Sequence, residues 1–439
     1  MKKITIIGTG YVGLVSGTGI SDFGHNVICS DIAEEKIEML NSGIIPIYEP
    51  GLKDVVERNV QAGRLSFSSD VAESIQSADV IFIAVGTPES ENGSADLSAV
   101  FSVAKTIAEN LNTYKVICTK STVPVGTGDK IINIIKTVAG NNAEFDYVSN
   151  PEFLREGAAV NDFLRPDRVV IGATSDKAFD ILKDVYRPLY INETPMVHTN
   201  IATAEMIKYA SNAFLALKIS YINEVANICE AVGADVQTVA RAMGSDGRIS
   251  PKFLHAGPGF GGSCFPKDTK ALVHLANEVG EDIRTIQAAV EANQSQKSRM
   301  VDKFIRLLNN SVDGKIVSLL GLSFKPNTDD VRDSSAIEMI EGLLSLGAHV
   351  RAYDPIANSN MKKRFPLVEY VDNWQSAVKD SSGVVILTEW NEFRGLDLQE
   401  LATLVKEKIV LDTRNILSMN ELYRLEFTFD NVGRKKSDR

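Results

Sequence analysis

The segment Gly261-Gly-Ser-Cys-Phe-Pro-Lys-Asp268 concentrates the residue types that covalent chemistry needs. Cys264 stands at the mouth of a glycine loop, just before a helix that Pro266 is suited to begin. A thiol near a helix N-terminus, with Lys267 beside it in sequence, tends toward thiolate, the nucleophilic form. The glycines leave room for a ligand to reach the sulfur. The other cysteines have a different setting: Cys29 and Cys118 lie in apolar strands and Cys229 on an apolar helical stripe, where each reads as a small buried hydrophobe.

A second constellation is Gly8-x-Gly10-x-x-Gly13, which follows an apolar run and opens a helix; Asp31 comes about twenty residues later, at the end of the next strand. The glycines, with Tyr11 and Val12 between them, permit a tight turn and close backbone approach to a pyrophosphate at a helix N-terminus. Asp31 would accept hydrogen bonds from ribose hydroxyls and repel a 2′-phosphate, so NAD is expected rather than NADP. Glycines that merely pack a helix on a strand are the alternative, and the strand–turn–helix context weighs against it. Lys36 either assists at the ribose or is a solvated lysine. Gly86-Thr-Pro88 and Lys120-Ser-Thr-Val-Pro124 follow strands at the carboxyl edge of the sheet, where open α/β folds bind ligands, with the Thr87 and Thr122 hydroxyls as available donors.

Lys208 and Asn212 are four apart on a helical stretch, with Glu205 a turn earlier. Taken alone, such a polar strip reads as a solvated face. Glu152 and Glu156 in Asn150-Pro-Glu-Phe-Leu-Arg-Glu156 are likewise spaced by one helical turn. No histidine pair has zinc spacing, so no metal is expected.

The elements that must position these groups follow from pattern. The chain has 439 residues, 44% hydrophobic and 23% charged, which excludes extensive disorder and, with four cysteines, a disulfide scaffold. No apolar run approaches the ~20 residues needed to span a bilayer, and the apolar stretch after Met1-Lys-Lys breaks at Gly8, so a cytoplasmic protein without a membrane partner is expected. The net charge of −11 argues against nucleic-acid binding, and the basic Arg434-Lys-Lys436 tail reads as a solvated end. Strand-like runs at 3–7, 25–30, 80–85, 116–119, 147–149 and 168–172 alternate with helical stretches, as in a parallel sheet covered on both faces. From Ile201 a long helical period takes over, interrupted by the glycine loop at 257–262 and ending near Leu308. Strand–helix alternation restarts at 315–320, 349–353, 383–388 and 408–412. The expected fold is α/β: two doubly wound, Rossmann-like domains joined by a long-helix all-α connector, divided as 1–199, 200–310 and 311–439.

These segments together resemble the UDP-glucose/GDP-mannose dehydrogenase family over nearly the whole chain. The resemblance is carried by Gly-Thr-Gly-Tyr-Val-Gly-Leu at 8–14, Gly-Thr-Pro at 86–88, Lys-Ser-Thr-Val-Pro at 120–124, Asn-Pro-Glu-Phe-Leu-Arg-Glu at 150–156, Gly-Phe-Gly-Gly-Ser-Cys-Phe-Pro-Lys-Asp at 259–268, Gly-Leu-Ser-Phe-Lys-Pro at 321–326 and Asp-Thr-Arg at 412–414. It implies four-electron oxidation of a nucleotide sugar's primary alcohol, UDP-glucose to UDP-glucuronate, using two NAD per turnover. The implied roles are proton transfer through Thr122, Asp268 and a water, and oxyanion stabilisation by Lys208 with Asn212 nearby. Cys264 would form a thiohemiacetal and then a thioester, with Glu152 or Glu156 serving hydrolysis. Glu156, Lys267 and Arg332 would also border the cofactor. Glu152, Phe153, Leu154, Phe260, Gly261, Phe324, Lys325 and Arg414 would contact the sugar nucleotide. The resemblance further implies a homodimer through the central helices, with Arg248 reaching the partner's site and higher assembly left open. UDP-N-acetylhexosamines and GDP-mannose stay open as substrates, as do a two-electron hydroxyacid dehydrogenase and an NAD-binding sensor without turnover.

Overall fold

The structure, a computed structural model, describes residues 1–90, 93–140 and 143–434; Lys435 and Lys436 of the basic tail lie outside them. The chain divides into two compact units, Met1–Ser211 with His274–Val279, and Asn212–Val273 with Gly280–Arg439.

The first unit is built on strands β1 (Lys3–Ile7), β2 (Asn26–Ser30), β3 (Leu65–Ser68), β4 (Val80–Ile83), β5 (Lys115–Thr119), β6 (Phe145–Ser149), β7 (Val169–Ala173) and β8 (Met196–Thr199). Their order in one sheet is β3-β2-β1-β4-β5-β6-β7-β8. Successive side chains on the central strands feed opposite cores: Ile4, Ile6, Val80 and Phe82 pack in one, Ile7, Ile81 and Ile83 in the other. Burial on both faces is why these strands read as unbroken apolar runs. The direction of strand order reverses at β1, and the loops after β1 and β4 meet at that switch point.

The second unit carries β9 (Ile316–Leu320), β10 (His349–Tyr353), β11 (Glu369–Tyr370), β12 (Gly383–Ile386), β13 (Ile409–Asp412) and β14 (Thr428–Asn431), ordered β11-β10-β9-β12-β13-β14 and parallel throughout. The Arg284–Leu307 and Ser335–Ser345 helices bury Met300, Phe304, Ile340 and Leu343 against Val317, Leu319 and Val385 of the sheet. A separate core on Trp374, Val384, Ile386 and Leu401 covers the opposite face.

One uninterrupted helix, Ile201–Val232, contains the division between units, which falls between Ser211 and Asn212. Its polar strip departs from the solvated face that spacing suggests: Glu205, Lys208 and Asn212 are 2%, 3% and 7% exposed. Each has a fixed polar partner, described below, which is what makes burial of such groups tolerable. Glu152 and Glu156 do not lie on a helix; the segment is irregular until the Ala159–Leu164 helix. There the Glu152 carboxylate accepts from the Leu154 amide at 2.5 Å and competes with a helical turn. Strand β7 runs antiparallel to β6, where alternation alone suggests parallel pairing. The intervening chain is spent on that irregular segment and a short helix instead of a full crossover. Among the described residues no helix is long and apolar enough to cross a membrane.

Candidate active site

In the first unit the β1 turn has the shape of an anion cradle. Gly8 has φ +104°, and a Cβ there would meet the Ala84 carbonyl oxygen at 2.6 Å; a Cβ on Gly13 would meet the Gly8 oxygen at 1.9 Å. Those glycines are demanded by packing. Gly10 differs, because an added Cβ would meet nothing within 4 Å, and the same is true of Gly86. The Tyr11–Asp22 helix starts at Gly10 with no side-chain cap and no acidic residue in its first turn. Its amide donors and positive dipole end are therefore left for an anion. The residues fit the pyrophosphate of a dinucleotide, with Gly10, Tyr11, Val12 and Gly13 as its backbone cradle.

Asp31, at the end of β2, accepts from the Thr9 amide and hydroxyl, both at 2.8 Å, and from the Ala33 amide at 3.0 Å. Burial opposes its ionisation, but these donors, with Lys36 nearby, outweigh it and hold the carboxyl below its ordinary pKa. A fixed negative charge thus stands at the end of β2, beside the glycine turn. Lys36 itself is exposed. The Thr87 hydroxyl is not an available donor, since it is used on the Thr122 carbonyl at 2.9 Å.

The Glu152–Glu156 segment is tied to the long helix through Lys208. Its ammonium donates to the Glu152 carbonyl at 2.7 Å and to the Glu152 carboxylate at 2.9 Å, with both side chains about 5% exposed or less. The ammonium also lies 5.3 Å from the Phe153 ring, whose face carries the Arg168 guanidinium at 3.5 Å. Leu154 joins the same turn through its amide on Glu152. The segment's far side is held by Glu49, which sequence reasoning missed. Glu49 accepts from the Tyr11 hydroxyl at 2.5 Å and from the Gly157 and Ala159 amides at 2.7 and 2.8 Å. Burial first, then Glu49, drives the Tyr11 phenol well above its usual range and keeps it a donor. Beneath this sits Lys120, buried, bonded to Asn150 and to the Tyr186 hydroxyl at 3.1 Å each, its pKa pulled down by burial to about 8.

In the second unit Cys264 immediately precedes the Phe265–Glu278 helix, and its carbonyl accepts the Asp268 amide at 2.8 Å. The thiol is half-buried, while Cys29, Cys118 and Cys229 are buried. Burial pushes the Cys29 pKa up to about 12 and raises that of Cys118 well above the usual thiol range. Asp268 is 1% exposed and shared between Asn212 Nδ2 at 2.6 Å and Lys267 Nζ at 2.7 Å. The charge of Lys267 is thus directed to Asp268. The glycine loop before the cysteine is clamped by polar side chains that sequence reasoning also missed. Asn223 accepts from the Gly257 amide, Gln296 donates to the Gly257 carbonyl, and Asn293 bonds both backbone groups of Phe260. The available signal was polar residues at 293, 296 and 297, spaced to share one face of an amphipathic helix.

Gly261 and Gly262 let this loop press onto the segment after β9. A Cβ at Gly261 would meet the Asp333 carbonyl at 2.3 Å, and one at Gly262 the Phe324 ring at 2.7 Å. The Gly262 amide donates to the Arg332 carbonyl at 2.7 Å, while the Arg332 guanidinium grips Asp330. Lys325 lies 5.1 Å from the Phe324 ring. Arg414, after β13, donates to the Leu387 and Phe324 carbonyls at 2.7 and 3.0 Å and pairs with Glu389. Phe260, Gly261, Phe324 and Arg414 therefore form one neighbourhood with the cysteine loop. Arg248 stands outside it, its side chain 90% exposed and, among the described residues, paired locally with Asp246.

Comparison with known proteins gives this geometry its family. Domain models of the UDP-glucose/GDP-mannose dehydrogenase family match in order: the NAD binding domain over residues 2–190, the central domain over 202–295 and the UDP binding domain over 318–419. A UDP-glucose 6-dehydrogenase of Bacillus subtilis is 50% identical over 435 residues, covering 99% of this chain and 94% of that one. One of Rhizobium meliloti is 49% identical, covering 98% and 99%. The solved UDP-glucose dehydrogenase of Pyrobaculum islandicum superposes with a TM-score of 0.92 at 37% identity, covering 99% of this chain and 98% of that chain. With its domains matched in sequence and near half its residues shared over almost its whole length, the chain belongs to the UDP-glucose/GDP-mannose dehydrogenase family.

Proposed function

We propose that this protein oxidises UDP-glucose to UDP-glucuronate through a covalent intermediate on Cys264. NAD would supply the hydride acceptor, two per sugar. Gly10, Tyr11, Val12, Gly13 and Gly86 would hold the cofactor with Asp31 at its ribose, and Glu156, Lys267 and Arg332 would border it. Thr122 and Asp268 pass on the proton of the 6-hydroxyl through water as the first hydride leaves, with Lys208 and Asn212 stabilising the oxyanion. The Cys264 sulfur then bonds to the aldehyde carbon, giving a thiohemiacetal whose remaining C–H hydride leaves to form a thioester. Water, positioned by Glu152 or Glu156, displaces the thiolate and releases the carboxylate. Phe153, Leu154, Phe260, Gly261, Phe324, Lys325 and Arg414 hold the sugar nucleotide.

The observation that carries this reading is Cys264 itself: a half-buried thiol at the start of a helix, behind a loop pinned on both sides. A two-electron dehydrogenase has no use for such a loop. The parts of this design are a cofactor domain at 1–199, a helical connector at 200–310 and a nucleotide-sugar domain at 311–439. The exposed apolar stripe of Phe214, Tyr221, Ile228 and Val232 on the long helix supports a homodimer there, with exposed Arg248 reaching the partner's site. A cytoplasmic location suits four free thiols, one of them reactive.

The test is stoichiometry. Purified protein with UDP-glucose is expected to yield two NADH per sugar and UDP-glucuronate, with UDP-N-acetylhexosamines and GDP-mannose much poorer substrates. Cys264→Ser is expected to abolish net acid formation. One NADH per sugar with aldehyde accumulating, or undiminished acid from the serine variant, would sink the mechanism.

A further inference from the structure

We infer that Glu205 is a positioning residue for this reaction, clamping the loop that carries Thr122 to the helix that carries Lys208. The inference rests on the roles proposed above for those two residues. Glu205 lies on the Ile201–Val232 helix three residues before Lys208, and it is 2% exposed. Its Oε2 accepts from the Gly126 amide at 2.7 Å and its Oε1 from the Gly128 amide at 2.8 Å. Those amides open the Thr127–Ala139 helix, whose N-cap position is Gly126, a residue without a side chain to cap it. A carboxylate from another helix therefore does the capping, where the dipole favours negative charge. Gly128 makes the approach possible: a Cβ there would meet Ile201 at 2.5 Å, the Tyr147 ring at 2.7 Å and Glu205 itself at 3.2 Å.

The loop between β5 and that helix has further anchors. The Ser121 hydroxyl donates to the Val85 carbonyl at 2.7 Å, and the Thr87 hydroxyl donates to the Thr122 carbonyl at 2.9 Å. These fix the near end of Thr122 to the strand edge that meets the cofactor turn. Glu205 fixes the far end to the long helix. Thr122 is thereby referenced to both the cofactor edge and the helix that presents Lys208 to Glu152. Capping by an ionised carboxylate uses both oxygens as acceptors; a protonated one would turn a hydroxyl toward an amide donor. Burial pushes Glu205 up to about 7 against the pull of the Gly128 and Gly126 amides, and Asp129 pushes it further. Tyr147 of β6 also faces it, and the Lys208 ammonium one turn on is occupied by Glu152.

The experiment compares wild type, Glu205→Gln and Glu205→Ala in steady-state kinetics with UDP-glucose and NAD from pH 6 to 8.5, and in hydrogen exchange of peptides covering 121–130. Glu205→Ala is expected to lower kcat by about 10- to 100-fold with KM for UDP-glucose little changed, because displaced proton-transfer groups cost rate more than binding. Glu205→Gln, which keeps one acceptor, is expected to fall between the two and to lose the rise in kcat through neutral pH. Exchange in 121–130, corrected for intrinsic rates, should quicken in both variants, and in wild type on acidification. Wild-type kcat and exchange in both variants, or a raised KM with unchanged kcat, overturns the inference. If wild type makes no UDP-glucuronate, the functional reading fails separately, and the exchange comparison still decides the clamp.

Discussion

Asp31 shows how one carboxylate can hold the turn and still carry the charge that its proposed role at the ligand needs. Its Oδ2 is committed to Thr9, which fixes the residue between Gly8 and Gly10. Burial resists the charge, but the donors prevail and the folded pKa lies below the ordinary carboxylate value. A depressed pKa means that its stabilising contribution is present above the unfolded pKa and is lost as pH falls through the folded one. At neutral pH Asp31 is therefore charged, as its proposed place at the ribose requires. Asp31→Asn keeps an acceptor for Thr9 but removes that charge. The expected outcome is a drop of about 10- to 100-fold in the preference for NAD over NADP, read as the ratio of kcat/KM values, because a close like charge is worth a few kcal/mol at an effective dielectric of about 20. An unchanged ratio would place the ribose elsewhere. Glu205 and Lys208 show the opposite lesson: their spacing was legible but their burial was not, since nothing in a Glu-x-x-Lys strip says that Gly126, Gly128 and Glu152 will come to meet it.

Both sheets use the same device at the level of the element. In the first, Asp31 at the end of β2 bonds the turn after β1; in the second, Asp354 after β10 bonds the Leu322 and Ser323 amides at 2.8 and 3.1 Å in the turn after β9. The second turn has one glycine, Gly321, with φ +94° where a Cβ would meet Thr388 at 2.5 Å. It lacks the open position that Gly10 provides in the first. That contrast separates glycines needed for packing from those needed for a ligand. Gly13→Ala is expected to lose stability by at least 1–3 kcal/mol, the usual scale of overpacking, seen as a fall in Tm. Gly10→Ala should leave Tm nearly unchanged while raising KM for NAD. A Gly10→Ala protein with unaltered NAD affinity would remove the turn from the cofactor site. The central strands were legible because burial on both faces writes apolar runs into the sequence. The edge strands β3, β8, β11 and β14 were not, being short and partly exposed, with mixed composition. The Glu152–Glu156 segment misled because periodicity reports spacing, while the Glu49 carboxylate and the Leu154 contact determine the actual path.

At the scale of the whole molecule, a net charge of −11 has to coexist with two anionic ligands. Under the proposed function, local donors would resolve the conflict: an uncapped helix start, and Lys208 and Arg414, which in this structure are held by Glu152 and Glu389. Arg248 does not fit that pattern within one chain, because its side chain is almost wholly exposed and among the described residues pairs with its neighbour Asp246. The long helix beyond it exposes Phe214, Tyr221, Ile228 and Val232, large apolar residues at helical spacing that a lone chain would leave in water. Pairing of two such helices would cover the stripe, and a twofold interface would offer each Arg248 to the other subunit's site. Complementation tests this directly. Arg248→Ala and Cys264→Ser are each expected to be nearly inactive, one for want of the arginine and the other for want of the thiol. In a mixed dimer, the site with an intact Cys264 receives its arginine from the subunit that still has one. Equal coexpression with random pairing should then restore about a quarter of wild-type activity, since half the dimers are mixed and each has one complete site. Tyr221→Asp with Ile228→Asp, placed in both subunits, should abolish the restoration and yield a monomer by light scattering, with the fold kept because both positions are exposed. No restoration in the original mixture would confine Arg248 to its own chain, and restoration that survives those charges would place the interface elsewhere than the stripe.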